Sequence, residues 1–445
     1  MSEFTGRRVV VAGAAVAGVA CAVALAVAGA EVLVLAERVN DPDERLAKAE
    51  IPVSADTSAL PPGVDLVVTS PGLRPNHPLL TAGVPVIGEV ELAWRLRGAN
   101  AADWLVLTGT NGKTTTVGML ESMLIAAGHH ALATGNVGFP LVDAVTAEPA
   151  YDVLAIELSS AQLHFTSSVR PVAAAILNIA PDHLDWHGSL AAYAAAKARI
   201  LHPDAINVIN ADDPQCRVLA AAMPRVVEFT VGERLPGQYG ISDGWLVDSL
   251  DIRLAPVDTV HPAGLHNVAN ALGAAALART YGVSPEAVRT GLESFVPAAH
   301  RNQLVATVAG VSYVDDSKAT NPHAASASLT SYDPIVWIAG GQLKGADIDE
   351  LVRDVAPRLR AAVLMGVDRQ QIADAIARHA PDLPVLQVSS DDHDPMVRAV
   401  QLASDHARAG DTVLLAPAAA SWDMFANYGA RGDAFAAAAR VLEHQ

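Results

Sequence analysis

The stretch Thr108-Gly109-Thr110-Asn111-Gly112-Lys113-Thr114-Thr115 decides the predicted fold of this chain. It follows an apolar run, Trp104 to Leu107, that predicts a buried strand, and it precedes residues 117–124, which predict a helix. Strand, glycine loop, lysine, hydroxyl and helix form the layout of a phosphate-binding loop, where backbone N–H groups and the helix N-terminus hold phosphate oxygens. Lys113 would reach the terminal phosphates, and the Thr114 hydroxyl would bind Mg²⁺.

The loop departs from the strict pattern G-x-x-x-x-G-K-[ST], because Leu107 occupies the place of the first glycine. The shorter G-x-x-G-K-T that remains is, taken alone, equally typical of an ordinary strand–helix turn. Its position between a strand and a helix favours the nucleotide site. We therefore predict that ATP contacts the residues of this loop, which are Gly109, Thr110, Asn111, Gly112, Lys113, Thr114 and Thr115.

Composition limits the classes of protein to be considered. A length of 445 residues predicts two to four domains at about 100–200 residues each. With 51% hydrophobic and 18% charged residues the chain is globular, and its net charge of −18 argues against a nucleic-acid or anionic membrane surface. Local lysines and arginines still permit an acidic substrate. Cys21 and Cys216 form no motif and suit a reducing cytoplasm.

The N-terminus resembles an export signal, because Arg7-Arg8 is followed by an uncharged run from Val9 to Ala30. The run is mostly Ala, Gly and Val, however, and it divides into a strand at residues 9–12, a helix at 16–28 and a strand at 32–35. A phosphate loop also requires ATP or GTP, which exported compartments lack. We therefore expect a cytoplasmic protein with no stable membrane insertion.

Three α/β regions follow one another along the chain. The first, residues 1–97, contains Gly13-Ala14-Ala15-Val16-Ala17-Gly18, a degenerate dinucleotide fingerprint in which Ala15 replaces the second glycine, so dinucleotide binding is doubtful. In the second, residues 98–297, strands alternate with helices, which predicts a parallel sheet covered on both faces. Residues 226–254 within it predict a small antiparallel sheet. The third, residues 298–445, repeats the α/β alternation.

Several polar residues stand where predicted strands end, at the edge where parallel sheets bind ligands. Glu157 is more readily explained there as a Mg²⁺ ligand than as a solvated carboxylate. Asp182 and His183 suit Mg²⁺ or Mn²⁺, although, taken alone, a helix cap and an ordinary turn histidine explain them better. Lys197 lies on a predicted helix, where a lysine is usually a solvated surface residue.

Two later clusters carry unusual densities of polar side chains. Asn267 and Asn270 stand one helical turn apart, where their amides could contact an adenine edge or cap the helix. Farther on, His300-Arg301 precedes residues 313–321, which place two acids, a lysine and two hydroxyls directly after a strand. Packing alone does not explain such a cluster.

Taken together, these segments resemble the Mur ligases of peptidoglycan synthesis, and most of all the member that adds D-glutamate. The matching segments, in family order over essentially the whole chain, are TGTNGKTT (108–115), ELSSAQL (157–163), NIAPDHLDWHG (178–188), AAK (195–197), GLHNVAN (264–270), HR (300–301), DDSKATNP (315–322), GGQLKGAD (340–347) and APAAASWDMF (416–425). The resemblance implies an α/β protein of three domains. These are a Rossmann-like UDP-substrate domain (1–97), a central P-loop ATPase domain with a parallel sheet (98–297) and a Rossmann-like amino-acid-binding domain (298–445).

The resemblance also implies the reaction, which is ATP-dependent addition of D-glutamate to UDP-N-acetylmuramoyl-L-alanine through an acyl phosphate, carried out by a cytoplasmic monomer. It implies ATP and two Mg²⁺ ions, with Mn²⁺ able to substitute, and a carbamylated Lys197 that acts as a carboxylate-like metal ligand. The implied catalytic residues are Lys113, Glu157, His183 and Lys197, and the implied metal ligands are Thr114, Glu157, His183 and Lys197.

The remaining implied sites divide by substrate. Further ATP contacts are Asn267, Asn270, Arg301 and Asp316. The UDP-substrate contacts are Ala15, Val16, Arg38, Ser70, Gly72, Asn136, Ser159, Gln162 and His183. The D-glutamate contacts are Lys318, Thr320, Lys344, Ser421 and Tyr428, whose lysines and hydroxyls suit a dicarboxylate.

The sequence departs from the family pattern at Ala15, at Ala161, where an aromatic residue is usual, and at Ala298-Ala299, where Leu-Pro is usual. A Mur ligase for L-alanine, a diamino acid or a dipeptide is the nearest alternative, although the Asp-Asn-Pro-Arg motif of the diaminopimelate-adding type is missing from the sequence. Folylpolyglutamate synthetases have their phosphate loop much earlier in the chain. A non-catalytic UDP-sugar binder would not need two metal sites.

Overall fold

A computed structural model describes residues 2–37, 43–98, 101–297, 299–389 and 394–442. The chain divides into two compact units, the first formed by Met1–Val260 and Val268–Phe295, the second by His261–Asn267 and Val296–Gln445. The first unit contains two parallel sheets and one small antiparallel sheet, and the second contains one six-stranded sheet. Within the described residues, no helix combines the length and the apolar character that a membrane crossing requires.

The first sheet confirms the strand, turn and helix predicted at the N-terminus. Its five strands are all parallel, in the order β3-β2-β1-β4-β5. The elements are β1 (Arg8–Ala12), α1 (Val16–Val27), β2 (Glu31–Leu35), α2 (Glu44–Lys48), β3 (Val53–Ser54), β4 (Leu66–Thr69), β5 (Val86–Gly88) and α3 (Glu89–Leu96). The loops after β1 and β4 meet, because a Cβ on Gly13 would lie 2.9 Å from the Cβ of Ser70.

The central sheet has the order β11-β10-β9-β6-β8-β7, again with every pair parallel. Its elements are β6 (Asp103–Thr108), α4 (Lys113–Ala126), β7 (Ala131–Gly135), α5 (Leu141–Val145), β8 (Val153–Glu157), α6 (Ser160–His164), β9 (Ala173–Ile176), α7 (Leu184–His187), α8 (Leu190–Ala198), β10 (Ile206–Asn210), α9 (Pro214–Ala220) and β11 (Val226–Phe229). Because β6 lies between β8 and β9, the ends of all three strands converge at the predicted phosphate loop.

The expected side sheet forms from β12 (Gly240–Ser242), β13 (Trp245–Val247) and β14 (Arg253–Pro256), which pair antiparallel. The prediction for residues 226–254 is wrong at its start, because β11 joins the parallel central sheet through β10. Two helices follow, α10 (Leu265–Thr280) and α11 (Pro285–Ser294). Gly291 lets α11 approach α4 closely, since a Cβ there would lie 2.5 Å from the Cα of Met123.

Buried carboxylates on α3 link the first sheet to the central one. Glu89 caps α5, accepting a hydrogen bond from the N–H of Leu141 at 2.8 Å. Glu91 accepts from the backbone N–H groups of Ser167 and Ser168 at 2.8 and 2.9 Å. Burial alone would raise the pKa of Glu91, but hydrogen bonds from Ser168, Ser167 and Arg95 lower it to about 2. The two sheets also share one apolar core.

The second unit has the order β15-β16-β20-β17-β18-β19, and only the β15–β16 pair is antiparallel. Its elements are β15 (Gln303–Val308), β16 (Val311–Asp315), α12 (Pro322–Leu329), β17 (Ile335–Gly340), α13 (Asp349–Val355), β18 (Leu359–Met365), α14 (Arg369–His379), β19 (Val385–Gln387), α15 (Pro395–His406), β20 (Thr412–Leu415) and α16 (Tyr428–Leu442). Purely alternating α/β structure was expected, so the antiparallel edge is a correction. The tight Ala309-Gly310 turn joins two strands there, both residues with positive φ.

Candidate functional site

The loop between β6 and α4 depends on two glycines. Gly112 has φ +79° and stands immediately before the helix, and a Cβ on it would lie 2.1 Å from Oδ1 of Asn270. A Cβ on Gly109 would lie 3.0 Å from the Cβ of Leu177. Any side chain at Gly112 would therefore be both strained and obstructed. Asn270, predicted to contact ATP, is buried against the loop itself.

Asn178 holds the same loop from the neighbouring strand end. Its Oδ1 accepts from the N–H of Asn111 at 2.8 Å, and its Nδ2 donates to the carbonyl of Asn111 at 3.1 Å. The N–H of Thr110 donates to the carbonyl of Asn178 at 2.9 Å. No role in binding was predicted for Asn178. Its position directly after a strand that neighbours β6 could have indicated one.

Thr110 connects the loop to α8. Its Oγ1 accepts from the N–H of Ala180 at 2.9 Å and lies 3.0 Å from the hydroxyl of Tyr193. Thr110 and Tyr193 are both buried, and burial raises the pKa of the Tyr193 phenol. Tyr193 precedes Lys197 by one helical turn, so this contact also sets the distance between α8 and the loop.

Lys197 is buried, with 1% of its surface exposed, contrary to the usual behaviour of a helical lysine. Its Nζ donates to the carbonyl of Gly109 at 2.7 Å and to Oγ1 of Thr108 at 3.3 Å. Burial, reinforced by the nearby charge of Lys113, lowers the pKa of the Lys197 amine well below its usual value. The amine is thereby shifted towards its neutral, nucleophilic form.

Glu157 ends β8 beside the loop and is 1% exposed. Its Oε1 accepts from Nδ2 of Asn136 at 3.0 Å, whereas its Oε2 is buried and has no hydrogen-bond partner among the described residues. Gly135 allows this arrangement, since a Cβ there would lie 2.3 Å from the carbonyl oxygen of Glu157. A buried carboxylate oxygen with an open lone pair fits a divalent cation.

The other predicted metal residues are more open. Thr114 is partly exposed in the first turn of α4. His183 has φ +51°, its side chain is 61% exposed, and its Nε2 lies 3.7 Å from Oδ2 of Asp182. No cluster of three or more His, Cys, Asp or Glu side chains suited to a metal occurs in the part of the chain that the structure describes. Metal binding here would therefore have to draw on a hydroxyl and on Lys197 as well.

The predicted UDP-substrate residues lie at the carboxyl ends of the two parallel sheets of the first unit. Ala15 and Val16 begin α1, and Val16 is 70% exposed. Ser159 and Gln162 form a capping box at the start of α6, with the N–H of Ser159 donating to Oε1 of Gln162 at 2.9 Å. Ser70 and Gly72 follow β4, and Asn136 contacts Glu157. Arg38 lies outside the described residues.

In the second unit, Asp316 is buried beside Arg301. It accepts hydrogen bonds from the N–H of Asn302 at 3.1 Å and from the Ser328 hydroxyl. Burial raises the pKa of the Asp316 carboxyl to about 6, although Ser328 and the charge of Arg301 oppose the rise. Asn267 is also buried, and its Nδ2 donates to the carbonyl of Ala263 at 3.4 Å.

The predicted D-glutamate residues occupy three loops at the carboxyl ends of β16, β17 and β20, together with the start of α16. Lys318 donates from Nζ to the hydroxyl of Tyr428 at 3.2 Å. Ser421 is buried, and Thr320 and Lys344 are at least partly exposed. The arrangement can present two cations and three hydroxyls to a dicarboxylate.

Arg431 joins these loops and was missed in the sequence. It is 1% exposed, and its guanidinium donates to Ser317, to the carbonyl of Ala419 at 3.0 Å and to the carbonyl of Gly340 at 3.4 Å. Burial lowers its pKa to about 10, so it remains a cation. A helical arginine without a partner nearby in sequence offered no signal of burial.

Comparison with known proteins adds to this geometry. Residues 107–278 match the family description "Mur ligase middle domain", and residues 300–419 match "Mur ligase, glutamate ligase domain". The chain is 53% identical to UDP-N-acetylmuramoylalanine–D-glutamate ligase of Streptomyces coelicolor, covering 99% of both chains. It is 48% identical to the protein of the same name from Mycolicibacterium smegmatis, covering 98% of this chain and 97% of the relative.

Solved structures show the same fold at low sequence identity. MurC from Thermotoga maritima superposes with a TM-score of 0.60 at 20% identity, covering 98% of this chain and all of that one. MurF from the same organism, solved in complex with ADP, gives a TM-score of 0.61 at 15% identity, covering 100% of this chain and 99% of that one. At these identities the two structures show the fold alone, and the α/β fold predicted from the sequence is confirmed.

Proposed function

The chain belongs to the Mur ligase family, among the D-glutamate-adding ligases, and from this premise we propose how its residues carry out the reaction. The enzyme is an ATP-dependent ligase that joins D-glutamate to UDP-N-acetylmuramoyl-L-alanine in peptidoglycan synthesis. The observation that supports the proposal best is the burial of Lys197 against the phosphate loop, within electrostatic range of Glu157, whose Oε2 has no hydrogen-bond partner among the described residues.

Lys197 acts as a carbamate. The neutral Nζ attacks CO₂ with its lone pair, a nitrogen–carbon bond forms, and one proton leaves to solvent. The low pKa of the buried amine favours this step, because only the neutral amine can attack. The product places an anion beside the ammonium group of Lys113. A protonated Lys197 would instead be repelled by that group.

Two Mg²⁺ ions, or Mn²⁺ in their place, would be held by Glu157, Thr114, His183 and carbamylated Lys197. The open Oε2 of Glu157 and the oxygen-rich character of the set suit hard cations. When bound, the ions neutralise charge on the phosphoryl oxygens of ATP. Lys113 steadies the same phosphates from the first turn of α4, with the backbone N–H groups of residues 109–115 around them.

The reaction proceeds in two displacements. The terminal carboxylate of the UDP substrate attacks the γ-phosphorus of ATP, the bond to the bridging oxygen breaks, and ADP leaves. The amine of D-glutamate then attacks the acyl carbon of the acyl phosphate, loses a proton, and phosphate departs as the amide forms. Lys113 and the loop donors offset the charge that develops on the transferred group.

Each substrate has its own part of the protein. The further ATP contacts are Asn267, Asn270, Arg301 and Asp316. Of these, Asn270 acts through its contact with the loop. Lys318, Thr320, Lys344, Ser421 and Tyr428 bind D-glutamate. The muramoyl and uridine groups contact Ala15, Val16, Arg38, Ser70, Gly72, Asn136, Ser159, Gln162 and His183.

We further assign three domains, at residues 1–97, 98–297 and 298–445. The first boundary separates α3 from β6, and the second separates α11 from β15. The enzyme works in the cytoplasm, where ATP and UDP-linked precursors are available. We also propose that it works as a monomer.

The test is phosphate release from ATP and Mg²⁺ with UDP-N-acetylmuramoyl-L-alanine. D-glutamate, L-glutamate, L-alanine and diaminopimelate are offered separately. Release that requires D-glutamate is the expected result. Release with another amino acid would keep the mechanism and overturn the assigned specificity, and no release with any of the four would overturn the proposal for this chain.

A further inference from the structure

An aromatic ring lies under each of the two lysines of the proposed amino-acid pocket. The Nζ of Lys318 lies 4.8 Å from the ring centroid of Tyr428, and the Nζ of Lys344 lies 4.2 Å from that of Trp422. Both distances fall within cation–π range. Tyr428 also accepts a hydrogen bond from its lysine, whereas Trp422, whose indole can only donate, has the ring face alone to offer.

Trp422 is 67% exposed, unlike the buried Trp104 and Trp337. An indole left in solvent on a loop of a parallel-sheet edge contributes little to the apolar core. Lys344 in turn has φ +54°, a left-handed conformation that is uncommon for a residue other than glycine and costs free energy. The protein thus maintains an unfavourable backbone conformation at one member of the pair and an exposed indole at the other.

Short backbone contacts hold both loops. The N–H of Gln342 donates to the carbonyl of Ala420 at 2.8 Å, and the N–H of Ala420 donates back at 2.9 Å. Gly341 permits this approach, because a Cβ there would lie 2.1 Å from the carbonyl oxygen of Ala420. Lys344 and Trp422 each follow this two-hydrogen-bond bridge by two residues. Their loops therefore cannot separate without breaking it.

A second anchor fixes the residue after the indole. Oδ2 of Asp423 accepts from the N–H of Val367 at 2.8 Å, and a Cβ on Gly366 would lie 2.7 Å from the same oxygen. The segment from Ser421 to Asp423 is therefore attached to the loop after β18 as well as to the loop after β17. With backbone on both sides of Trp422 held, the direction of its side chain is restricted.

We propose that Trp422 is a positioning residue for the incoming amino acid, acting through Lys344. The indole face holds the ammonium at one place in the pocket while leaving its N–H donors available to a ligand carboxylate. A carboxylate partner of Lys344 would compete for those donors, and the ring does not. The inference rests on the proposed function, because it takes Lys344 to be a residue of the amino-acid pocket.

The test compares Trp422→Phe, which keeps an aromatic face, with Trp422→Leu, which keeps apolar volume and removes the face. Steady-state KM is measured separately for D-glutamate, ATP and the UDP substrate. We expect Trp422→Leu to raise the KM for D-glutamate about fivefold and Trp422→Phe about twofold or less, within the range of a partly exposed cation–π pair. The KM values for ATP and the UDP substrate should stay within about twofold of the wild-type values, because neither substrate is assigned a contact with Lys344 or Trp422.

Trp245→Leu is the matched control. Its ring also faces cations, with Arg289 and Arg253 at 5.2 and 5.3 Å from the centroid, but it belongs to the antiparallel sheet of the first unit. It should leave the KM for D-glutamate unchanged. Lys344→Met combined with Trp422→Leu should be no worse for D-glutamate than Lys344→Met alone, because the indole acts through the lysine.

Equal KM values for D-glutamate in Trp422→Leu and Trp422→Phe would overturn the inference. An equal rise in the KM values for all three substrates would also overturn it. If the wild-type enzyme releases phosphate with another amino acid, the specificity proposed above fails. The same series then applies to that amino acid, and its outcome decides the role of Trp422 separately. Absence of release with every amino acid would remove the proposed function and this inference together.

Discussion

The central sheet and the sheet of the second unit present functional side chains in opposite ways. Around the phosphate loop the key groups are shielded from water, since Lys197 and Glu157 are each 1% exposed, and we call this the dry site. In the second unit, Lys344 is exposed and Trp422 is 67% exposed. Both sets lie around the carboxyl ends of parallel strands, which Lys197 reaches from α8, so topology alone does not account for the difference.

The difference follows from what each site handles. Groups that offset developing phosphoryl charge act most strongly where water is excluded and their orientation is fixed in advance. Groups that bind a small amino acid are in contact with water before the amino acid arrives. The bound amino acid then displaces that water from them. Substitutions at the dry site should therefore affect the chemical step, and those at the open site should affect KM for one substrate.

Lys197→Ala tests the dry site most severely. We expect ligation to fall by at least about 10³-fold, because the variant loses the carbamate and with it a ligand for the ions that stabilise the transferred phosphoryl group. Ligation is followed as D-glutamate-dependent phosphate release, and folding by circular dichroism. Acetate or another short carboxylate should restore part of the rate.

Lys48→Ala, on an exposed position of α2, is the control and should behave as wild type. The wild-type enzyme should also lose activity in buffer stripped of CO₂ and recover it with bicarbonate. Carbon-13 bicarbonate should produce a carbamate signal in the wild type that Lys197→Ala lacks. Normal turnover by the variant would exclude the carbamate.

Glu157→Gln should lower kcat by roughly 10²-fold and raise the Mg²⁺ concentration needed for half-maximal rate, because an amide is a weaker ligand for a hard cation. The variant can keep its hydrogen bond with Asn136 through the amide oxygen. Glu89→Gln is the matched control, because Glu89 is also buried but its carboxylate already caps α5. If Glu157→Gln and Glu89→Gln change the Mg²⁺ dependence alike, the proposed difference between the two carboxylates, one with an oxygen free to bind a cation and one already hydrogen-bonded, is wrong.

The same comparison explains what the sequence could reveal. The strand, loop and helix around residues 108–115 were predicted correctly, because apolar periodicity and glycines at fixed spacing are local features, whereas phosphate binding by the loop stays a prediction. Strands and helices near it were also predicted, since apolar periodicity reports which faces are buried. The helix lengths and strand ends differ by one to a few residues, as at β2, which begins at Glu31 where the sequence predicted residue 32.

The interactions that were missed are long-range. Asn178 contacts Asn111 across 67 positions in the chain, and Arg431 contacts Ser317 across 114. Neither has a local pattern, because the partner is brought close only by strand order. The burial of Lys197 likewise depends on α8 packing beside the loop through Tyr193. Family resemblance, and not periodicity, indicated the role of Lys197, whereas neither indicated a role for Asn178 or Arg431.

Asp316, a buried carboxylate of the second unit, allows the effect of burial to be tested by pH. Its folded pKa, about 6, lies above the unfolded value of 3.8, so folding favours the neutral carboxyl. That contribution is fully present below pH 3.8 and is lost as pH rises through 6. Between pH 5 and 7.5 the wild type should lose about 1–2 kcal/mol of unfolding free energy that Asp316→Asn retains. Urea unfolding at both pH values measures the gap, and an unchanged gap would mean that Asp316 ionises without penalty.

Asn178→Ala should have the smallest effect. The variant loses two side-chain hydrogen bonds to Asn111, each contributing about 0.5–1.5 kcal/mol, so the KM for ATP should rise about tenfold with little change in the KM for D-glutamate. Asn207→Ala is the matched control, because the Asn207 amide also bonds backbone, donating to the carbonyls of His202 and Ala205 at 3.0 and 3.1 Å. Asn207 lies near the start of β10, at the end of the sheet opposite the loop. Both variants should lose stability, but only Asn178→Ala should weaken ATP binding. Equal KM values for ATP in the two would mean that the loop keeps its shape without Asn178, and that Thr110, Gly112 and Asn270 suffice to hold it.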